Sequence, residues 1–158
     1  MSFRPEELAD HADALYRYAL RTTGDPVRAE DAVQDTVVRA LERRHSYRGD
    51  APLRHWLMRV AHNIIVDRGR RSGREIAIES VEAEWRDDDY TVDAEAVAMR
   101  AATRAELLDA LVRLPFIYRS AVVLHDVEDL RVADIAAIHN ISLPAAKQRL
   151  RRGRMALV

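Results

Sequence analysis

A chain of 158 residues that is 48% hydrophobic and 32% charged has the composition of a folded, water-soluble protein: one ordinary domain, or two small ones with small cores. It has no cysteine, which excludes a disulfide framework and thiolate metal sites, and no apolar run approaches the roughly 18 residues of a spanning helix. The formal net charge of -1 hides a strong asymmetry: ten arginines face three acids between Arg39 and Arg74 (+7), nine acids face Arg86 alone between Glu75 and Glu95 (-8), and no acid follows Asp134.

The opening "MSFRPEELADHADALYRYAL" carries acids and lacks an apolar core segment, so no signal peptide is expected and the location is read as cytoplasmic. Leu8, Ala12, Leu15 and Ala19 recur at helical intervals and predict a first helix from about Pro5 to Arg21. After "TTGDP", Asp25 is placed to cap a second helix with Pro26 at its first position. That helix is expected to bury Ala29, Val33, Val37 and Leu41, leaving Asp31, Gln34, Asp35 and Arg39 on its other face. The loop "HSYRGDAP" follows, and Leu53, Leu57, Val60 and Ile64 form the stripe of a third helix that ends at "RGRRSGR".

The acidic stretch beginning at Glu75 has little helical periodicity, and residues 73–99 are expected to be a linker between domains at 1–72 and 100–158. Beyond it lie Leu107, Leu108, Leu111 and Leu114, then a break at Pro115, then a helix with Ala121, Val122 and Leu124 inward. Two short helices close the chain. One runs from Ala133 to Ile138; the other, capped by Ser142, buries Ala146, Leu150, Gly153 and Leu157. Short helices joined by a turn of three or four residues fit a helix-turn-helix. The second carries five of the chain's 25 basic residues in eight positions, Lys147 to Arg154, and its outer side holds Lys147, Gln148, Arg151 and Arg152, where a groove and its phosphates could be reached. The fold class expected is therefore all-α: two small helical domains, the C-terminal one a helix-turn-helix.

Three stretches in order, "AEDAVQDTVVRAL" (29–41), "YRGDAPLRHWLMRVAHN" (47–63) and "LPFIYRSAVVLHDVEDLRVADIAAIHNISLPAAKQRLRRGRMAL" (114–157), resemble the bacterial RNA polymerase sigma factors of the extracytoplasmic-function (ECF) group. The resemblance covers nearly the whole chain. It implies a first domain that docks on core polymerase and melts the minus-ten element, and a second that reads the minus-thirty-five element. Asp31, Gln34, Asp35 and Arg39 match the face that docks on the clamp coiled coil of the largest subunit, with a second contact at the flap region. Tyr47, Arg48, Gly49, Asp50 and Ala51 match the loop that takes an extruded non-template base, with Asn63 beside that pocket. Such a loop has the parts that single strands require, an aromatic face within basic surroundings. Trp56 either joins that DNA surface or anchors the third helix in the core.

At the C-terminus the resemblance assigns Lys147, Gln148, Arg151 and Arg152 to the major groove of duplex promoter DNA, and Arg149 and Arg154 to phosphate or polymerase. The chain has Ala145 and Ala146 where the family often has Thr-Val, and Arg151 where an aromatic residue or His is common. No enzymatic constellation of nucleophile, base or metal ligands stands out, and His55 with His62 lacks a third ligand at matching spacing. The resemblance thus implies no catalysis, cofactor, metal or membrane insertion, and it adds an anti-sigma factor as a partner. Two alternatives are a sigma-like decoy that sequesters an anti-sigma factor and a stand-alone helix-turn-helix regulator. The basic helix speaks against the first, and the "YRGDAP" and "AEDAVQD" segments speak against the second.

Overall fold

The computed structural model describes residues 3–72 and 104–157, so the acidic segment read as a linker, 73–99, lies outside the described residues. Among the described residues every regular element is helical. The single first helix expected from Pro5 is instead a tight 3-10 run, Pro5–His11, followed by α1, Ala12–Thr23. A bond from the Arg4 N–H to Glu7 Oε2 at 2.9 Å holds the tighter first turn. Gly24 ends α1 in the left-handed region, φ 71°, donating its N–H to the Leu20 carbonyl. Asp25 then caps α2, Pro26–Glu42, as expected: its carboxylate accepts from the Val27 N–H at 2.9 Å.

The buried face of α2 is rotated from the one the sequence suggested. Ala29, Ala32, Thr36 and Ala40 are fully enclosed, Val33 and Val37 are half-buried, and Leu41 is 43% exposed. Small residues take the interior: Ala29, Ala32 and Ala40 share one core with Ala14 and Ala19 of α1. The Thr36 hydroxyl is satisfied by donating to the Ala32 carbonyl at 2.6 Å. Helix α3, Leu53–Ser72, completes this half with Leu57, Met58, Ala61, Ile64 and Ile65 inside.

The second half starts with α4, Arg104–Val112, and breaks before Pro115; α5, Phe116–Val122, is buried along its whole length. A π-turn, Val123–Val127, follows, closed by the Glu128 N–H on the Val123 carbonyl at 2.9 Å. The wide turn brings Glu128, only 2% exposed, against the first half. Helices α6, Val132–His139, and α7, Leu143–Ala156, form the expected helix-turn-helix. Asn140 sits between them at φ 57°, and Ser142 caps α7 by accepting from the Ala145 N–H at 3.3 Å. Gly153 is what lets α7 lie on α5. A Cβ there would stand 2.8 Å from the Tyr118 carbonyl oxygen and 2.6 Å from Val122 Cγ2.

The two halves pack face to face. Helix α1 touches α4, α5 and the π-turn, and α3 touches α6. One apolar core runs through both halves, and several polar links cross their seam. Arg17 grips Glu128 with two bonds, 2.9 and 3.0 Å, and Arg54 donates to the Glu128 carbonyl at 2.6 Å. Arg119, 6% exposed, donates to the carbonyls of Leu111, Val112 and Leu114 and, across the seam, to that of Thr22.

Candidate nucleic-acid interface

Three surfaces carry the residues singled out in the sequence. On α2, Asp31, Gln34 and Asp35 are exposed and Arg39 is half-buried. Asp35 is engaged, because Arg68 of α3 pairs with it and, with Arg39, lines a groove between the two helices. Val38, 54% exposed, and Leu41 stand beside these polar groups. Sequence reading placed Leu41 in the core by strict four-residue spacing; counting the small residues instead would have exposed it.

The loop between α2 and α3 is built on an aromatic triad within the first half. The Tyr47 ring lies 5.9 Å from Phe3 and 5.5 Å from Trp56, and Phe3 lies 5.7 Å from Trp56, all tilted. The Tyr47 hydroxyl donates to the Ala51 carbonyl at 2.6 Å, which closes the loop on itself. Gly49 occupies φ 80°, and Arg48, Gly49, Asp50 and Ala51 are exposed. Trp56 is half-buried and packed on the core, the anchoring alternative for that residue. Asn63 is exposed two turns along α3, outside the cleft that Tyr47 and Trp56 line.

The far wall of that cleft comes from the other half. Asp134, Ala137 and Ile138 of α6 face Tyr47 and Trp56 across it. His55 stands at its floor, with Nδ1 3.7 Å from Asp134 Oδ1. Burial pushes the His55 pKa down, and the nearby Asp134 carboxylate only partly restores it.

On α7, Lys147, Gln148 and Arg151 are exposed, as a recognition face requires. Arg152 is half-buried, with Nη1 3.5 Å from the Tyr118 hydroxyl. Arg149 corrects the sequence reading: it is 6% exposed and donates to His139 Nδ1 at 2.9 Å, so in this arrangement it meets neither phosphate nor polymerase. Its position repeats the interior pattern Ala146, Leu150, Gly153 by three or four residues, a signal that charge obscured. Arg154, read as a contact to phosphate or polymerase, instead donates to Asp126 Oδ2 at 3.1 Å. Burial pushes Asp126 up, but hydrogen bonds from Arg154 and His125 outweigh it, and the carboxyl ends below its ordinary range.

Sequence reading missed a fourth group altogether. Tyr18 of α1, His62 of α3, Ser120 of α5 and His139 of α6 meet at the centre of the seam. Tyr18 Oη lies 2.9 Å from His62 Nδ1 and 2.8 Å from Ser120 Oγ, and Ser120 Oγ lies 2.9 Å from His139 Nε2. The two imidazoles stack at 4.3 Å and 16°. Burial pushes the His62 pKa down to about 3, with the Arg149 charge adding to it. His139 keeps an accessible edge, yet enclosure of its nitrogens lowers it well below normal, and His62 and Arg149 lower it further. Burial likewise raises the Tyr18 phenol. No spacing in the sequence connects these four.

Comparison with known proteins gives a consistent result. Residues 8–75 match the family model for sigma-70 region 2, and residues 104–157 match that for sigma-70 region 4. The chain is 33% identical to the ECF RNA polymerase sigma factor SigE of Mycolicibacterium smegmatis, covering 96% of this chain but 59% of that protein. It is also 33% identical to SigL, an ECF RNA polymerase sigma factor of Mycobacterium tuberculosis, over 89% of this chain and 78% of that one. Among solved structures it resembles the sigma factor RpoE of Bartonella quintana, crystallised with the anti-sigma factor NepR, at 25% identity and TM-score 0.73, covering 96% and 92% of the two chains. Among the described residues no helix is long and apolar enough to cross a membrane.

Proposed function

The chain belongs to the ECF group of RNA polymerase sigma factors, and from that membership we propose that it directs core polymerase to particular promoters in the cytoplasm and opens them there. The observation that carries the reading is the helix-turn-helix of α6 and α7, whose Ser142-capped second helix turns Lys147, Gln148 and Arg151 to solvent. Such a face supports direct readout of the major groove, where a good bidentate contact discriminates by roughly 1–3 kcal/mol. The two units proposed are 1–72 and 100–158, joined by 73–99. In the first, the α2 face around Asp31 and Gln34 docks on the clamp coiled coil, with the exposed Val38 and Leu41 adding apolar contact. The 47–51 loop captures melted DNA with the Tyr47 ring. The polymerase supplies all chemistry. By likeness to RpoE, an anti-sigma factor is the proposed antagonist.

Transcription from a promoter library by core polymerase and this protein, with start sites mapped, tests the reading. Discrete start sites absent with core alone are expected; none at all would leave the decoy in its place. Asp31→Arg is the cleaner docking variant, because Asp35→Arg would also repel Arg68. It should weaken capture of core polymerase at unchanged helicity.

A further inference from the structure

The ring hydrogens of this group follow from the Arg149 guanidinium. The Arg149 guanidinium can only donate, so His139 Nδ1 must accept, and the ring hydrogen is left on Nε2 for Ser120 Oγ. Ser120 and Tyr18 share one hydrogen between them and give the other to His62 Nδ1, by the shorter path from Tyr18 Oη at 2.9 Å. The chain runs from α7 through α6 and α5 into α1 and α3, crossing from one half of the molecule to the other. It is complete only while both imidazoles are neutral. A proton on His139 would set an N–H against the Arg149 N–H, and a proton on His62 would set one against the Tyr18 hydroxyl and a cation against the stacked ring.

We propose that this seam is a proton-sensitive clasp: protonation of His62 and His139 parts the two halves, and closure puts α6 over the 47–51 loop. The groups facing the two rings favour this outcome. Helix α1 contributes Tyr18, α7 contributes Arg149, and α5 contributes Ser120 and Phe116, which stacks on His62 at 5.4 Å and has the Arg119 guanidinium 5.9 Å from its ring. Burial and the Arg149 cation both oppose an imidazolium here, and no carboxylate among these groups offsets them. The carboxylates at the seam edge are already held, Glu128 by Arg17 and Asp134 at the His55 side. Closed-state protonation is suppressed, and once the halves part each ring returns towards about 6.5. Closure is therefore fully supported above that pH and weakens progressively below it, until pH reaches the depressed pKa values of the closed state. If both rings take up a proton, the opening equilibrium rises about 100-fold between pH 7.5 and 5.5; if one does, about tenfold.

The consequence for DNA rests on the proposed role of the 47–51 loop, but the clasp does not. In closed form Asp134, Ala137 and Ile138 wall the cleft beside Tyr47 and Trp56. A base could not reach that wall of the loop until α6 moved away.

The chain has no cysteine, so Glu30→Cys with Ala133→Cys places one dye on each half for energy transfer. Transfer in the full chain should fall reversibly from pH 7.5 to 5.5, and the added pair His62→Gln and His139→Gln should abolish that response. Unchanged transfer, or an equal response in the glutamine variant, would overturn the clasp. Should circular dichroism show the glutamine variant unfolded, the ring protons of His62 and His139 in the unsubstituted chain decide by NMR. Titration in step with transfer supports the clasp, and titration near 6.5 at constant transfer overturns it. Failure of promoter-directed transcription would remove the sigma reading alone, since energy transfer needs no polymerase.

Discussion

The contact between α1 and α2 and the seam between the two halves are built from opposite materials. The first encloses Ala14, Ala19, Ala29 and Ala32, side chains too small to hold helices apart, with the Thr36 hydroxyl satisfied inside its own helix. The second encloses Tyr18, His62, Arg119, Ser120 and Glu128. Opening the first would expose apolar surface at about 25 cal/mol per Å² with no compensation. Opening the second would also expose part of the shared apolar core, but it returns polar groups to water, and each hydrogen bond exchanged that way changes the free energy by only about 0.5–1.5 kcal/mol.

The largest effect should come from the one seam residue that also braces its own half. Arg119→Leu would leave up to four carbonyls without their donor, and three of them, Leu111, Val112 and Leu114, belong to the second half itself. Urea unfolding should register a loss of about 3–5 kcal/mol. A loss under about 1 kcal/mol would mean that water replaces the guanidinium readily and that this part of the seam is not dry. On the other side of the comparison, Ala32→Leu forces three extra heavy atoms into the α1–α2 contact, where Ala32 is 1% exposed. Overpacking of this kind costs about 1–3 kcal/mol. Its stability deficit should be the same at pH 7.5 and 5.5, whereas any seam deficit should change with pH.

Much of the helical order was legible in the sequence because its signals are local. Asp25 with Pro26, the break at Pro115 and the Ser142 cap each act within three residues, and each appears where expected. The aromatic nature of the 47–51 loop was legible too, but its support was not, since Phe3 lies 44 positions before Tyr47 in the chain. Arg149 shows the opposite failure. Its helical position announced the interior, and its charge was allowed to overrule that position. The seam was beyond reach for a third reason: Tyr18 and Ser120 are 102 residues apart, and nothing in either neighbourhood marks the other.

A gentler cut into the seam separates its polar content from its packing. Tyr18→Phe removes one oxygen and keeps the ring, and Ser120 Oγ still lies 3.3 Å from His62 Nδ1, close enough to inherit the bond. The loss in stability should therefore be about 1 kcal/mol, the ordinary net value of one hydrogen bond. Energy transfer between the halves should fall at a higher pH than in the unsubstituted chain, because closure starts from a weaker position. A loss above about 3 kcal/mol would show that Ser120 cannot substitute.

The smallest effect belongs to a pair that touches neither region. Asp126 and Arg154 tie the π-turn to the end of α7, but their side chains are 37% and 35% exposed, so water and salt screen them. The Asp126 carboxyl sits below its ordinary range because the bonds from Arg154 and His125 outweigh its burial. A depressed carboxyl stabilises the fold above its unfolded pKa and ceases to do so as pH falls through the folded one, so the contribution is present at neutral pH and fades below about 4. Exposed pairs of this geometry contribute about 0.5 kcal/mol. Asp126→Asn should cost about that much at pH 7 and nothing measurable at pH 3 by thermal unfolding, while leaving the seam's response between pH 7.5 and 5.5 unchanged. It should also free Arg154 for DNA phosphate. If promoter affinity in the Asn variant then gains about one unit of salt slope, the phosphate role read from the sequence is one that Asp126 withholds.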